Sequence, residues 1–204
     1  MQIKKNQIGK ENKFQLIDQI NLPTEIAQDT TFYLFKDSKD VINVLVKGNV
    51  FNKQNIFVRI HSECLFGDIL SSLRCDCGKQ LEKAKQLMKK EENGILFYLG
   101  QEGRGIGIEN KVKAYKLQEQ GHDTVDANVL LGFKADLRNY DSPAKILKEF
   151  FKINSVQLAT NNPKKIKELE AQGITVTQLP LIIKPNKHNE NYLKTKKIRM
   201  GHKI

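Results

Sequence analysis

Four short runs in the first third of the chain, KFQLI, TTFYLF, VINVLV and NIFVRI, are rich in β-branched and aromatic residues and stand between polar or proline-containing connections. Such runs predict β-strands. Further along, the apolar period changes. Leu81, Ala84, Leu87 and Met88 fall on one stripe of a helix over 79–90, with Asn93-Gly94 expected to close it before a strand GILFYL. Ile108, Val112 and Tyr115 recur at i, i+4 and i+7, the apolar stripe of a second helix over roughly 106–120 that ends at Gly121. A third helix places Ile146, Leu147, Phe150 and Phe151 on one side. It is followed by a strand SVQLAT, a helix with Pro163 in its first turn, and a strand ITVTQLPLII.

Alternating helices and strands predict an α/β fold: a mixed sheet flanked by helices, with a β-rich N-terminal portion. We expect a single domain over 1–204, made of a β-rich part (1–58), a catalytic core (59–185) and a tail (186–204). The tail, rich in lysine and asparagine, is expected to be loosely held.

Composition narrows the class. The 204 residues are 39% hydrophobic and 28% charged, as in ordinary globular proteins. MQIKKNQIGKENKF has no apolar run that could serve as a leader, and no stretch is long enough to span a bilayer, so a cytoplasmic location is expected. The net charge of +11 admits nucleic acid, an anionic membrane or a phosphorylated small molecule as partner. Nearly all the excess is lysine scattered along helical faces and tails, which reads as solvated surface. The five arginines, Arg59, Arg74, Arg104, Arg138 and Arg199, are different, because such a composition keeps arginine where a planar bidentate donor is needed.

All three cysteines, Cys64, Cys75 and Cys77, fall in one short window. An odd number in a cytoplasmic setting argues against a disulfide framework and for a metal. Three thiolates suit zinc and leave one tetrahedral position for water, the arrangement of a catalytic site. Two other readings stay open at this point: His61 could close the site as a fourth, structural ligand, or the thiols could be free and buried.

Around the cysteines the chain reads Arg59-Ile60-His61-Ser62-Glu63-Cys64, then Arg74 and Gln80, a density of polar groups that suits a polar substrate. Gln101-Glu102-Gly103-Arg104-Gly105-Ile106-Gly107 follows a strand and opens a helix, where N–H groups and Arg104 can face an anion. Thr160-Asn161-Asn162-Pro163-Lys164-Lys165 repeats that arrangement. Two anion sites in one chain point to an extended polyphosphate ligand.

The segments RIHSEC, SLRCDCG, QEGRGIG, DTVDANVLLGFKADLRNY and TNNPKK, in this order and at these separations, closely resemble the GTP cyclohydrolase II family, from about Arg59 to Gly201. Gly100 and Asn139 depart from the family's usual residues at positions without assigned chemistry. The resemblance implies hydrolytic opening of the guanine imidazole ring of GTP, with release of formate and pyrophosphate, as the committed step toward riboflavin. It implies one zinc per chain on Cys64, Cys75 and Cys77, attack by its water at guanine C8, Mg²⁺ on the GTP phosphates, and a homodimer.

The resemblance also carries roles. Tyr115 matches a tyrosine of the ring chemistry; family variants without it process the ring incompletely, so its presence implies the full reaction. Asp136 matches a proton acceptor and Arg138 an arginine described as nucleophile toward the α-phosphate. A guanidinium has no free lone pair, so a clamp on phosphoryl charge is physically the easier role. The GTP contacts carried over are Arg59, Ile60, His61, Ser62, Glu63, Gln80, Glu102, Gly103, Arg104, Thr124, Thr160 and Lys165. Glu63 or Glu102 would accept from the guanine N1–H and 2-amino group. Competing readings are a homologue with another product or pathway, and a basic, zinc-stabilised nucleic-acid-binding protein. The latter lacks a recognition module, so neither nucleic acid nor membrane is expected as partner. The segment before Arg59 is too short for a second catalytic domain, so a monofunctional enzyme is expected.

Overall fold

The computed structural model describes residues 14–38 and 40–203. The N-terminal stretch read above for a leader, and the first residue of KFQLI, lie outside the described residues. Seven strands form one sheet: β1 (Phe14–Asn21), β2 (Thr30–Asp37), β3 (Val41–Lys47), β4 (Ile56–Ser62), β5 (Gly94–Leu99), β6 (Ser155–Ala159) and β7 (Thr175–Leu179). Their order is β1-β2-β3-β5-β4-β6-β7. The pairs β1–β2, β2–β3 and β3–β5 are antiparallel, whereas β5–β4, β4–β6 and β6–β7 are parallel.

Sequence explains the division. β3 buries alternate residues, Ile42, Val44 and Val46, as a strand with one solvated face does. In β4 the first six residues are all buried, because helices cover both faces of the parallel half. On one face, α1 (Cys77–Lys90) packs Ala84 and Met88 against Phe57 and Leu96. On the other, α5 (Asp141–Lys145), the π-helical turn Ile146–Phe150 and α6 (Pro163–Ala171) bring Ala144, Leu147, Phe151 and Leu169 onto Phe35, Val58, Ile60 and Phe97. The mixed sheet, its flanking helices and the β-rich N-terminal portion agree with the expectation from sequence.

Because β4, β5 and β6 are parallel, their carboxyl ends lie at the same edge, where open α/β sheets bind ligands. The remaining elements gather there: a second π-helical turn, Leu65–Ile69; the short turn α2 (Glu102–Gly105); α3 (Gly107–Glu119); α4 (Thr124–Leu130); and α7 (Glu190–Met200).

Four expectations need correction. The stripe assigned to α3 faces outward: Ile108 and Val112 are exposed, and the helix instead buries Lys111 and Ala114. Its inner face meets a polar cleft rather than apolar core. The tail is not loose, since it forms α7 and packs on α4. The first helix ends at Lys90 and β5 opens at Gly94, as expected, but Glu91 rather than Asn93-Gly94 caps the helix. The last strand stops at Leu179 because Pro180 has no N–H to continue the ladder.

Candidate functional site

A cleft opens at the carboxyl edge of the parallel strands. Every site residue expected from sequence lines it except Ile60 and Asp136. Ile60 is fully buried in the sheet and offers its carbonyl to Lys165 Nζ (2.6 Å). Asp136 stands behind Arg138, its carboxylate taking Arg138 Nε at 2.9 Å and Nη2 at 2.7 Å.

One end of the cleft is built on the cysteines. Cys64 follows β4 and accepts Gly67 N–H at the start of the π-helical turn (3.3 Å), while Cys77 opens α1. The two segments approach closely through glycines. A Cβ on Gly67 would stand 2.9 Å from Cys75 Sγ, and one on Gly78 would collide with the Gly67 carbonyl. The three sulfurs lie within 4.8 Å of one another, a cluster that could hold a metal ion. Cys64 and Cys75 are 3.8 Å apart. Hydrogen bonds from Cys75 and Cys77 pull the Cys64 thiol far down, and the bond to Cys64 pushes Cys75 up to about 11.

Lys111 stands beside this cluster, donating to Cys64 Sγ (3.2 Å) and Glu102 Oε1 (2.7 Å). Burial works against its charge, but the bonds to Glu102 and Cys64 outweigh burial and hold the ammonium protonated. Glu102 is fixed in turn by Leu65 N–H (2.6 Å) and Gly103 N–H (2.7 Å). The turn carrying it needs Gly103 at φ 62°, where a Cβ would press on Ile106 and Lys111.

His61 is not turned toward the cysteines. Its Nδ1 meets Arg59 Nη2 (3.1 Å) and its Nε2 meets Asp68 (3.0 Å), which also accepts from the Tyr98 hydroxyl (3.0 Å). Burial, aided by Arg59, lowers His61 to about 4 despite Asp68. With both ring nitrogens engaged, His61 does not act as a fourth ligand in this arrangement. Tyr115 packs edge-on to Phe66 (5.3 Å) beneath the Arg74 guanidinium (4.2 Å), and Arg74 is tied to Glu119 (3.0 Å). Burial and the nearby Cys75 raise its phenol, which stays neutral.

The other end is cationic. Arg59 reaches Ala159 O (2.8 Å) and Gln80 Oε1 (3.0 Å); Gln80 and Lys196 both bind Asp76, the residue between the two nearer cysteines. Burial lowers Arg59 to about 10. Burial, with Arg59, Arg138 and Lys196 around it, also drives Lys165 well down. Arg59 Nε, both terminal nitrogens of Arg104, Asn162 Nδ2 and both ring nitrogens of His202 are buried without hydrogen-bond partners among the described residues. Such groups are rare in folded proteins, and unpaired cations crowded together call for an anion.

The chain belongs to the GTP cyclohydrolase II family. The family model described as GTP cyclohydrolase II matches residues 15–179. The chain is 52% identical over 188 residues to the riboflavin biosynthesis protein RibBA of Endomicrobium trichonymphae, covering 91% of this chain and 46% of that protein. It is 46% identical to GTP cyclohydrolase-2 of Archaeoglobus fulgidus (97% of this chain, 52% of that one). To GTP cyclohydrolase-2 of Picrophilus torridus it is 49% identical over 83% of this chain and 89% of that one. The chain spans about half the length of the first two of these relatives.

Sequence reading missed Lys111, Asn128, Tyr192, Lys196 and His202, all of which line the cleft. Lys111 and Lys196 had passed as solvated surface, yet they are 6% and 7% exposed. For Lys111 a signal existed, since it precedes Tyr115 by one helical turn and so shares its face. Lys196 offered none, its partner Asp76 lying 120 residues away.

Proposed function

We propose that this chain is a zinc-dependent GTP cyclohydrolase II, hydrolysing GTP to a diaminopyrimidine ribosyl phosphate with release of formate and pyrophosphate, the first step of riboflavin biosynthesis. The observation that carries the reading is a single cleft that holds both a three-thiol cluster and unpartnered cationic donors. The cysteines fit zinc: tetrahedral bonds of about 2.3 Å put sulfurs roughly 3.8 Å apart, the separation of Cys64 and Cys75. Zinc bound there would supply Lewis acidity and activation of a water molecule.

The protein's own groups do the rest. Lys111 offsets part of the charge of three thiolates and so keeps the metal site electrophilic. Tyr115, a neutral phenol beside the cysteines, can hand a proton to the opening ring. Glu102 has its carboxylate taken by Lys111 and two N–H groups, which leaves Glu63 as the acceptor for the guanine N1–H and 2-amino group. Arg138, forked onto Asp136 and raised in pKa against its burial by Tyr140 and Asp136, acts as a charged clamp on the α-phosphate rather than a nucleophile. Asp136, lowered by that same arginine despite burial, orients it. Arg104, Thr160 and Lys165 take phosphate oxygens, and Mg²⁺ bound with the nucleotide would offset part of the phosphate charge. Thr124 and Ser62 add hydroxyls at the cleft wall. The family resemblance adds a homodimer.

A nucleic-acid surface would carry its arginines along an exposed face. Here Arg59, Arg104 and Arg138 line the cleft, while the half-buried Arg74 and the exposed Arg199 are paired with carboxylates.

Incubating metal-analysed protein with GTP and Mg²⁺, and following products by mass spectrometry, tests the proposal. Formate and pyrophosphate should appear in equal amounts, with about one zinc per chain. Pyrophosphate without formate, or a formylated pyrimidine that accumulates, would contradict it.

A further inference from the structure

Beyond α7 a histidine enters the cleft that the account above leaves unused. Gly201 takes the left-handed conformation (φ 66°) and ends the helix. The backbone then folds back, with His202 N–H donating to Lys196 O (3.2 Å) and Lys203 N–H to Asn161 O (3.1 Å). This second bond ties the tail to the turn between β6 and α6, the segment that carries Thr160 and Lys165. His202 is 7% exposed and lines the cleft.

Among the described residues its ring has no partner: Nδ1 and Nε2 are both buried and unbonded. A leucine or phenylalanine would fill such a space without leaving two polar atoms unsatisfied. The imidazole is also not part of the cysteine cluster. Lys196, Arg138 and Lys165 act on it against Asp76, and burial together with these cations keeps the free ring neutral. An anion held by the same cations suits an imidazole in this setting.

We propose that His202 is a phosphate ligand of the cleft, donating a ring N–H to an oxygen of a bound polyphosphate alongside Arg138 and Lys165. The inference rests on the nucleotide reading above. When the anion enters, its charge offsets the repulsion from the three cations, and the second ring nitrogen can take a proton from solvent and donate as well. The carboxyl-terminal segment thus forms part of the substrate site, although it lies beyond the residues matched by the family model.

Inorganic pyrophosphate with Mg²⁺ is the probe, titrated calorimetrically into the full chain and into His202→Leu and His202→Gln. Loss of a charge-assisted hydrogen bond should weaken binding roughly 10- to 100-fold in His202→Leu, while His202→Gln, which keeps a donor, falls between. The ligand-free melting temperature of His202→Leu should equal or exceed that of the unsubstituted protein, because an unpaired buried polar group has been removed. Undiminished pyrophosphate binding by His202→Leu would overturn the inference alone, as would weakened binding accompanied by a lowered melting temperature. Failure of the unsubstituted protein to bind pyrophosphate would overturn the nucleotide reading, and the inference with it.

Discussion

The two ends of the cleft differ in how their polar groups are satisfied. At the cysteine end Lys111, Glu102, His61 and Asp68 are bonded to one another, to a cysteine sulfur or to the main chain. At the cationic end Arg104 and His202 have buried nitrogens with no partner among the described residues, Arg59 is lowered in pKa by burial, and Lys165 by burial among like charges. The first pattern belongs to a scaffold that is complete before any substrate arrives. The second stores unfavourable desolvation that an anionic ligand relieves, so binding free energy concentrates where the free protein is least satisfied.

The comparison can be broken at either end. Cys75→Ser removes a thiolate from the cluster and should abolish formate release while leaving pyrophosphate binding intact, measured by product analysis and calorimetry. Lys111→Met, which strips the one ammonium from Cys64, should weaken metal retention by roughly 10- to 100-fold. Competition with a chromophoric chelator reads this directly, and unchanged retention would show that Lys111 does not act on the metal site.

At the cationic end, Arg138→Lys keeps the charge but loses the fork onto Asp136. It should lower kcat/KM by about 10-fold with little change in metal content. A trapped covalent guanylyl adduct on Arg138 would refute the clamp. The smallest effect concerns the scaffold itself. His61 is lowered to about 4 by burial, so between its unfolded value near 6.5 and about 4 the unfolded chain binds the extra proton. Stability should therefore fall as pH drops from about 6.5 toward 4 and level off below, and urea melts of His61→Gln should show a shallower slope over that window.

Much of this was legible because it is local. The four N-terminal strands announced themselves through β-branched runs, and the cysteine window with its neighbouring arginines marked the cleft. What escaped depended on contacts distant in sequence. Periodicity assigned Ile108 and Val112 to the inner face of α3, yet the helix turns Lys111 inward because its neighbour is a polar cavity. α7 has no clear apolar stripe, so its lysines and asparagines resembled a loose tail. It is held by Lys196 on Asp76 and Arg199 on Asp123 and Asp126, pairings that no local pattern reveals.

The central claim is that the cysteine end performs the chemistry and the cationic end binds the nucleotide. The most direct measurement is calorimetric titration of GTP, with Mg²⁺, into protein stripped of metal and shown by circular dichroism to remain folded. The account predicts GTP affinity close to that of the metal-loaded protein, with formate release lost until zinc is restored. GTP affinity that disappears with the metal would contradict the division.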